Sequence, residues 1–233
     1  MAKNKTIGDA PNGNRIFVRR VLSKLHRAYG PVPPWEPEDP VTCLIGTILS
    51  QATNDTLADR AYDALRERFP TWAKVHAAPR RSVEKAIRMC GLAEQKARAI
   101  KNFLRFLKKT RGTFSLDDLR RPDLDVDGAL AELSGIDGIG IKTAAITLMF
   151  ACNADLCAVD THLQRILQRL QIVPPKASPD RAYRMLRPLI PKGRAIELHL
   201  HLIRFGRNVC RAQRPRCGEC ALRKVCPAAG CGH

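Results

Sequence analysis

Apolar residues in this chain recur every three to four positions in one segment after another. Nowhere do they alternate with period two between hairpin turns, as strands would. From Ile16 to Tyr29 the positions Phe17, Val21, Leu25, Ala28 and Tyr29 mark one helical face, with Arg19, Arg20, Lys24 and Arg27 between them. The stretch GPVPPWEPEDP, residues 30–40, holds too much proline to be helical and serves as a connector. Helical patterning then resumes at 41–52, 55–68, 72–77, 80–89, 94–110, 126–134 and 141–152, and again at 160–171, 178–189 and 194–208. The predicted fold class is all-α. Residues 1–14 read as a disordered basic tail.

Charge narrows the partner. Among 233 residues, 40 Lys and Arg face 22 Asp and Glu, a net +18 that points to a polyanion. A basic membrane-surface protein would show a long helix with cations on one face and Trp or Phe on the other, and none is visible. Aromatic residues, at 5%, are too few for a stacking platform on single strands. Duplex nucleic acid held through its phosphates is the better reading. No apolar run is long enough to span a bilayer, and the polar, basic N-terminus carries no signal peptide. The expected setting is therefore an intracellular, reducing one (cytoplasm or nucleoid), with Cys43, Cys90, Cys152 and Cys157 as buried thiols.

Four further cysteines, Cys210, Cys217, Cys220 and Cys226, read C-x6-C-x2-C-x5-C within seventeen residues. A structural zinc site usually takes two separated CxxC knuckles. Here one CxxC stands between staggered outer cysteines, a spacing that favours the corners of a [4Fe–4S] cluster. Zinc and unliganded thiols remain open, and Cys231 is a substitute ligand that would leave Cys226 idle. Arg211, Arg214 and Arg216 lie inside the Cys210–Cys217 loop, where a pinned basic loop can grip phosphates at low entropic cost.

A second informative stretch begins at Gly138-Ile139-Gly140, between a short helix and a strongly apolar one starting at Ile141. The two glycines allow positive φ and an exposed run of backbone N–H groups, a nest for phosphate oxygens at a helix start. Lys142 falls in the first turn of that helix, where the dipole disfavours a cation. Together with partial desolvation, this populates a neutral, nucleophilic amine. Eighteen positions on, Asp160 in AVDTH precedes another helix, as an N-cap that also stays ionised.

With EDP and ILSQATND at the front, GLAEQKARAI in the middle, then GIGIKTA, AVDTH and the four-cysteine run, residues 16–226 resemble the endonuclease III branch of the helix-hairpin-helix DNA glycosylase superfamily. The resemblance implies two all-α lobes with the DNA cleft between them. One is a six-helix barrel with the helix-hairpin-helix, residues 33–154. The other is a discontinuous cluster domain, residues 15–32 and 155–233. It further implies that Lys142 attacks C1′ of a damaged nucleoside and forms an imine that undergoes β-elimination, with Asp160 stabilising the sugar cation. Gln51 would fill the gap left by the extruded base, and Leu92 would be the wedge opposite it. A base cannot be attacked at its sugar inside the stack, so both roles make physical sense.

The implied function is a monomeric, bifunctional DNA glycosylase/AP lyase of base excision repair. It would act on oxidised pyrimidines in duplex DNA carrying a damaged base or an abasic site. A monofunctional mismatch glycosylase for uracil or thymine is the alternative, and Lys142 argues against it. The adenine-specific branch carries a further C-terminal domain, for which the seven residues after Cys226 leave no room. A non-catalytic iron-sulfur duplex-binding protein is the rival from another class. Two departures from the family stand out. The segment 114–138 is longer than in short members, and Asp137 and Ile141 occupy places where proline and arginine are common. An acidic side chain at the phosphate nest is expected to weaken it.

Overall fold

The computed structural model describes residues 11–229, with side chains from Asn14 onward. All regular structure among the described residues is helical. The chain divides into two compact units: Glu36–Ala154, and Met1–Trp35 joined to Asp155–His233. No described helix is long and apolar enough to cross a membrane.

The continuous unit holds α2 (Pro40–Leu49), α3 (Asp55–Arg68), α4 (Trp72–Ala77), α5 (Arg80–Ala86), α6 (Ala93–Arg111), α7 (Val126–Ser134) and α8 (Ile141–Cys152). Capping residues set most of these starts. Asp39, followed by Pro40 at the first helical position, accepts a hydrogen bond from Thr42 N at 2.8 Å, so the EDP motif is a helix-start signal. Asn54, Thr71 and Asp125 cap α3, α4 and α7 in the same way. Val41, Leu44, Ile45, Ile48 and Leu49 of α2 are wholly buried, as are Ala144, Ala145, Leu148 and Met149 of α8. These two helices pack closely against each other, and α6 adds Ile100, Phe103, Leu104 and Leu107 to the core. At about 1.5–3 kcal/mol for each large apolar side chain, such burial is what holds the unit together.

The other unit holds α1 (Pro11–Tyr29), α9 (Thr161–Arg169), α10 (Pro179–Leu186) and α11 (Ala195–Asn208). Its core is built from Val18, Val21, Leu22 and Leu25 with Leu163, Ile166, Leu167, Leu198, Leu202 and Phe205. His26 Nδ1 lies 2.7 Å from Glu197 Oε1, tying α1 to α11. His199 is satisfied by Ala158 O at 2.9 Å, as expected of a core histidine. His201 bonds Gly30 O at 3.1 Å through Nε2, but its buried Nδ1 has no hydrogen-bond partner and lies 3.8 Å from Glu197.

Several expectations need correction. Helix α1 begins at Pro11, so residues 11–14 of the supposed tail are helical; residues 1–10 lie outside the described residues. Helix α2 stops at Leu49 rather than 52 because Ser50 closes it: its N–H bonds Gly46 O, and Ala52 then turns to φ 50°. Helix α5 gives way after Ala86 to a 3₁₀ turn, Arg88–Cys90, ahead of two left-handed residues, Gly91 (φ 68°) and Leu92 (φ 50°). The longer segment after α6 carries structure ahead of α7. It forms a 3₁₀ turn at Asp117–Arg120, and Arg111 bonds both Asp118 and Glu132. Cys43, Cys90 and Cys157 are buried free thiols as expected, while Cys152 is half-buried.

Candidate active site

Helices α7 and α8 form a hairpin whose turn is decided by one glycine. Ile139 N bonds Ile136 O at 2.9 Å, and Gly138, third in that turn, has φ 92°. A left-handed residue at this place suits glycine. Space demands it as well, since a Cβ on Gly138 would stand 2.6 Å from the Cβ of Ala99 on α6. Gly140 differs from expectation: it has φ −87°, an ordinary extended N-cap, and a Cβ there would meet nothing. Its importance lies in that open space. No side chain caps the first turn of α8, so its leading N–H groups face outward, as an anion site requires. Ile139 is 3% exposed, so its side chain is a core anchor and only its backbone can serve DNA.

Asp137, the acidic residue beside the nest, is engaged by α6. Its carboxylate accepts from Asn102 Nδ2 at 3.0 Å and lies 3.7 Å from Arg98 Nε, so its charge is turned toward α6 and compensated there.

Lys142 stands in the first turn of α8 with its side chain exposed. The expected desolvation is absent from its own unit. Beside it, Thr143 is buried and its Oγ1 accepts from Gln51 Nε2 at 3.1 Å. The loop after α2 is thereby fastened to the start of α8, next to the lysine. Leu92 is 51% exposed, so its side chain is no core contact. Met89, three residues earlier, is also exposed, so the turn before α6 presents two large apolar side chains.

In the other unit, Asp160 caps α9: its Oδ1 accepts from Leu163 N at 2.8 Å. The residues before it, Leu156–Val159, are buried, so the aspartate is held at the end of a fixed strut. Burial, reinforced by Asp160 and Asp155, pushes the Cys157 thiol up, keeping it neutral beside the carboxylate. Asp160→Asn should keep the helix start, because asparagine caps as well as aspartate. Asp160→Ala should cost about 1 kcal/mol in thermal unfolding.

Cys210, Cys217, Cys220 and Cys226 all line one cavity, with Ile166, Phe205 and Leu222 among its apolar walls. Burial raises the Cys220 thiol, a backbone hydrogen bond from Leu222 opposes it, and Cys226, Cys210 and Cys217 raise it further. The sulfurs are thus close enough to feel one another, and a bound cationic group would relieve that repulsion. Arg169 Nη1 lies 3.3 Å from Cys210 Sγ, a donor suited to a thiolate. The donor set fits a metal-sulfur group, although no three His, Cys, Asp or Glu side chains among the described residues form a ready site for a single ion.

Arg211, Arg214 and Arg216 are all exposed on the loop between Cys210 and Cys217. The loop is held by protein contacts. Arg169 donates to Arg211 O at 2.7 Å and Ala212 O at 3.1 Å, and Arg165 donates to Cys210 O at 3.0 Å. Arg216 is 3.8 Å from Glu219, so its charge is partly engaged. Nothing in the residue spacing marks Arg165 and Arg169 as the braces; on α9 they read as ordinary surface cations.

Comparison with known proteins places the chain in a family. Residues 45–192 match the family described as HhH-GPD superfamily base excision DNA repair protein. The chain is similar to endonuclease III of Thermotoga maritima, 33% identical over 81% of this chain and 83% of that one. It is also similar to a candidate DNA glycosylase of Arabidopsis thaliana, 37% identical over 74% of this chain; the match spans 58% of that relative's length. Among solved structures it resembles an endonuclease III in a non-covalent DNA complex, with TM-score 0.76 and 27% identity over 92% of this chain and 96% of that one. Another is described as a trapped endonuclease III–DNA covalent intermediate, with TM-score 0.77 at the same identity and coverage.

Proposed function

Because this chain belongs to the HhH-GPD superfamily of base excision DNA repair proteins, as an endonuclease III-like DNA glycosylase, we propose that it is bifunctional: it removes oxidised pyrimidines from duplex DNA and then cleaves the strand as an AP lyase. The observation that carries this reading is Lys142, an exposed amine on the first turn of an otherwise apolar helix, beside the fastened Gln51. Its Nζ lone pair attacks C1′, and the base departs with the electrons of the glycosidic bond and gains a proton. Opening of the sugar ring leaves an imine between Nζ and C1′. Loss of a C2′ proton then expels the 3′ phosphate oxygen. Asp160, held at its cap, offers its carboxylate to the developing sugar cation.

On the same reading, the N–H groups heading α8 take a phosphate, Gln51 fills the space of the extruded base and Leu92 wedges the unstacked step. Cys210, Cys217, Cys220 and Cys226 hold a [4Fe–4S] cluster. When bound, it supplies a rigid staple for the arginine loop rather than any part of the reaction. The protein works as a monomer in the reducing cell interior.

Borohydride trapping on duplexes carrying an abasic site, thymine glycol or uracil tests the reading. Covalent adducts are expected with the first two. Release of uracil or mismatched thymine without an adduct would instead identify a monofunctional enzyme. Replacing Arg211, Arg214 and Arg216 together by alanine should weaken binding to all sequences alike. It should also lower the slope of log K against log salt by about two to three. An unchanged slope would remove this loop from the interface.

A further inference from the structure

The continuous unit contains one buried lysine that the functions above leave unused. Lys96, on the first full turn of α6, is 2% exposed. Its ammonium donates to Leu49 O at 2.8 Å and to Cys90 O at 2.8 Å. Leu49 is the last residue of α2, two before Gln51; Cys90 ends the 3₁₀ turn, two before Leu92. Both carbonyls sit where a helical element runs out of backbone donors and its negative end favours a cation. The backbone N–H of Lys96 also bonds Leu92 O at 3.0 Å, so the same residue grips the wedge turn twice. That turn needs gripping. Leu92 is a non-glycine residue at φ 50°, a conformation that persists only where its surroundings over-determine it.

We propose that Lys96 is a positioning residue for base extrusion. One buried ammonium fixes the distance between the turn that presents Leu92 and the loop that presents Gln51. A neutral residue of the same length would fill the volume but leave both carbonyls unpaired and the two loops free to separate. Displacements of about an ångström at positioning elements are enough to cost about a hundredfold in rate. The proposal rests on the reading of Gln51 and Leu92 as the inserted side chains.

Lys101, on the same helix, provides a control. Its ammonium also closes a helix end, bonding Val75 O at 3.2 Å and Ala78 O at 2.6 Å after α4, but no inserted residue follows there. The experiment compares two readouts: the single-turnover rate of base removal from thymine glycol paired in a duplex, and borohydride trapping on an abasic site in single-stranded DNA. The second requires neither extrusion nor gap filling. Lys96→Met is expected to slow the duplex reaction at least tenfold relative to trapping. Lys101→Met, although also destabilising, should leave that ratio unchanged. A uniform fall in both readouts for Lys96→Met, or no change, overturns the proposal. Gln51→Ala and Leu92→Ala in the same assay separate the two ideas. If they lower the ratio and Lys96→Met does not, only the role of Lys96 fails; if they leave it unchanged, the insertion reading fails and takes this role with it. Should Lys96→Met not fold, Lys96→Gln, which retains a donor for one carbonyl, is read against the same outcomes.

Discussion

Lys142→Gln should abolish the borohydride-trapped adduct and slow strand cleavage at least about a thousandfold, while the protein still folds and binds duplex DNA. An amide nitrogen has no available lone pair, so neither attack at C1′ nor an imine is possible. The side chain is exposed and makes no contact on which α8 depends, so unfolding temperature should be unaffected. Removing one cation from the phosphate side should lower the salt slope by about one and leave most of the affinity, which anisotropy titration would show. Trapping as efficient as in the wild type would mean that another nucleophile operates. The neighbouring Thr143–Gln51 hydrogen bond should survive the change, since neither partner is altered.

Gly138→Ala should be the most damaging small substitution outside the chemistry. Two costs combine. The added Cβ would meet Ala99 Cβ at 2.6 Å, an overpacking strain worth about 1–3 kcal/mol. An L-residue at φ 92° adds about 1–3 kcal/mol more. Denaturant unfolding should therefore register a loss of about 2–6 kcal/mol, a large part of the stability of an ordinary domain. Any relaxation that avoids the clash must shift the start of α8, so affinity for an abasic duplex should fall as well. Ala99→Gly in the same chain should restore the steric part and leave the conformational part, and the double-mutant cycle would separate them. Gly140→Ala serves as the contrast: with φ −87° and open space, it should cost little stability, and any loss of DNA affinity would report on the approach to the helix end itself.

Particular residues show how much of this was legible in the chain. Helices α3, α4 and α7 fall where the periodicity and their caps place them, and α8 where its apolar run does, because capping and a 3.6-residue apolar repeat are local properties. The ends of α2 and α5 were placed too far along. The carbonyl that ends α2, Leu49 O, is taken by Lys96 from another part of the sequence, and a local pattern cannot register that. Lys96 itself reads as one more surface cation in AEQKARAI. Only packing shows that it is buried.

Family membership follows from motifs, and the proposed nucleophile, aspartate and cluster ligands are the residue types such chemistry calls for: an amine for an imine, a carboxylate for a cation, thiolates for a metal-sulfur group. The sequence by itself therefore determined the helical class and the places of most helices, and it singled out the groups proposed to react, since each depends on short-range periodicity or on a side chain's own reactivity. Tertiary structure alone decided that Gly138 is required by Ala99, that the Ile139 side chain anchors the hairpin, that the Asp137 carboxylate faces Asn102 and Arg98 of α6, and that Arg165 and Arg169 brace the arginine loop. Each of these rests on a contact between residues far apart in the chain, made or refused within a few ångströms, and such distances exist only once the helices have packed.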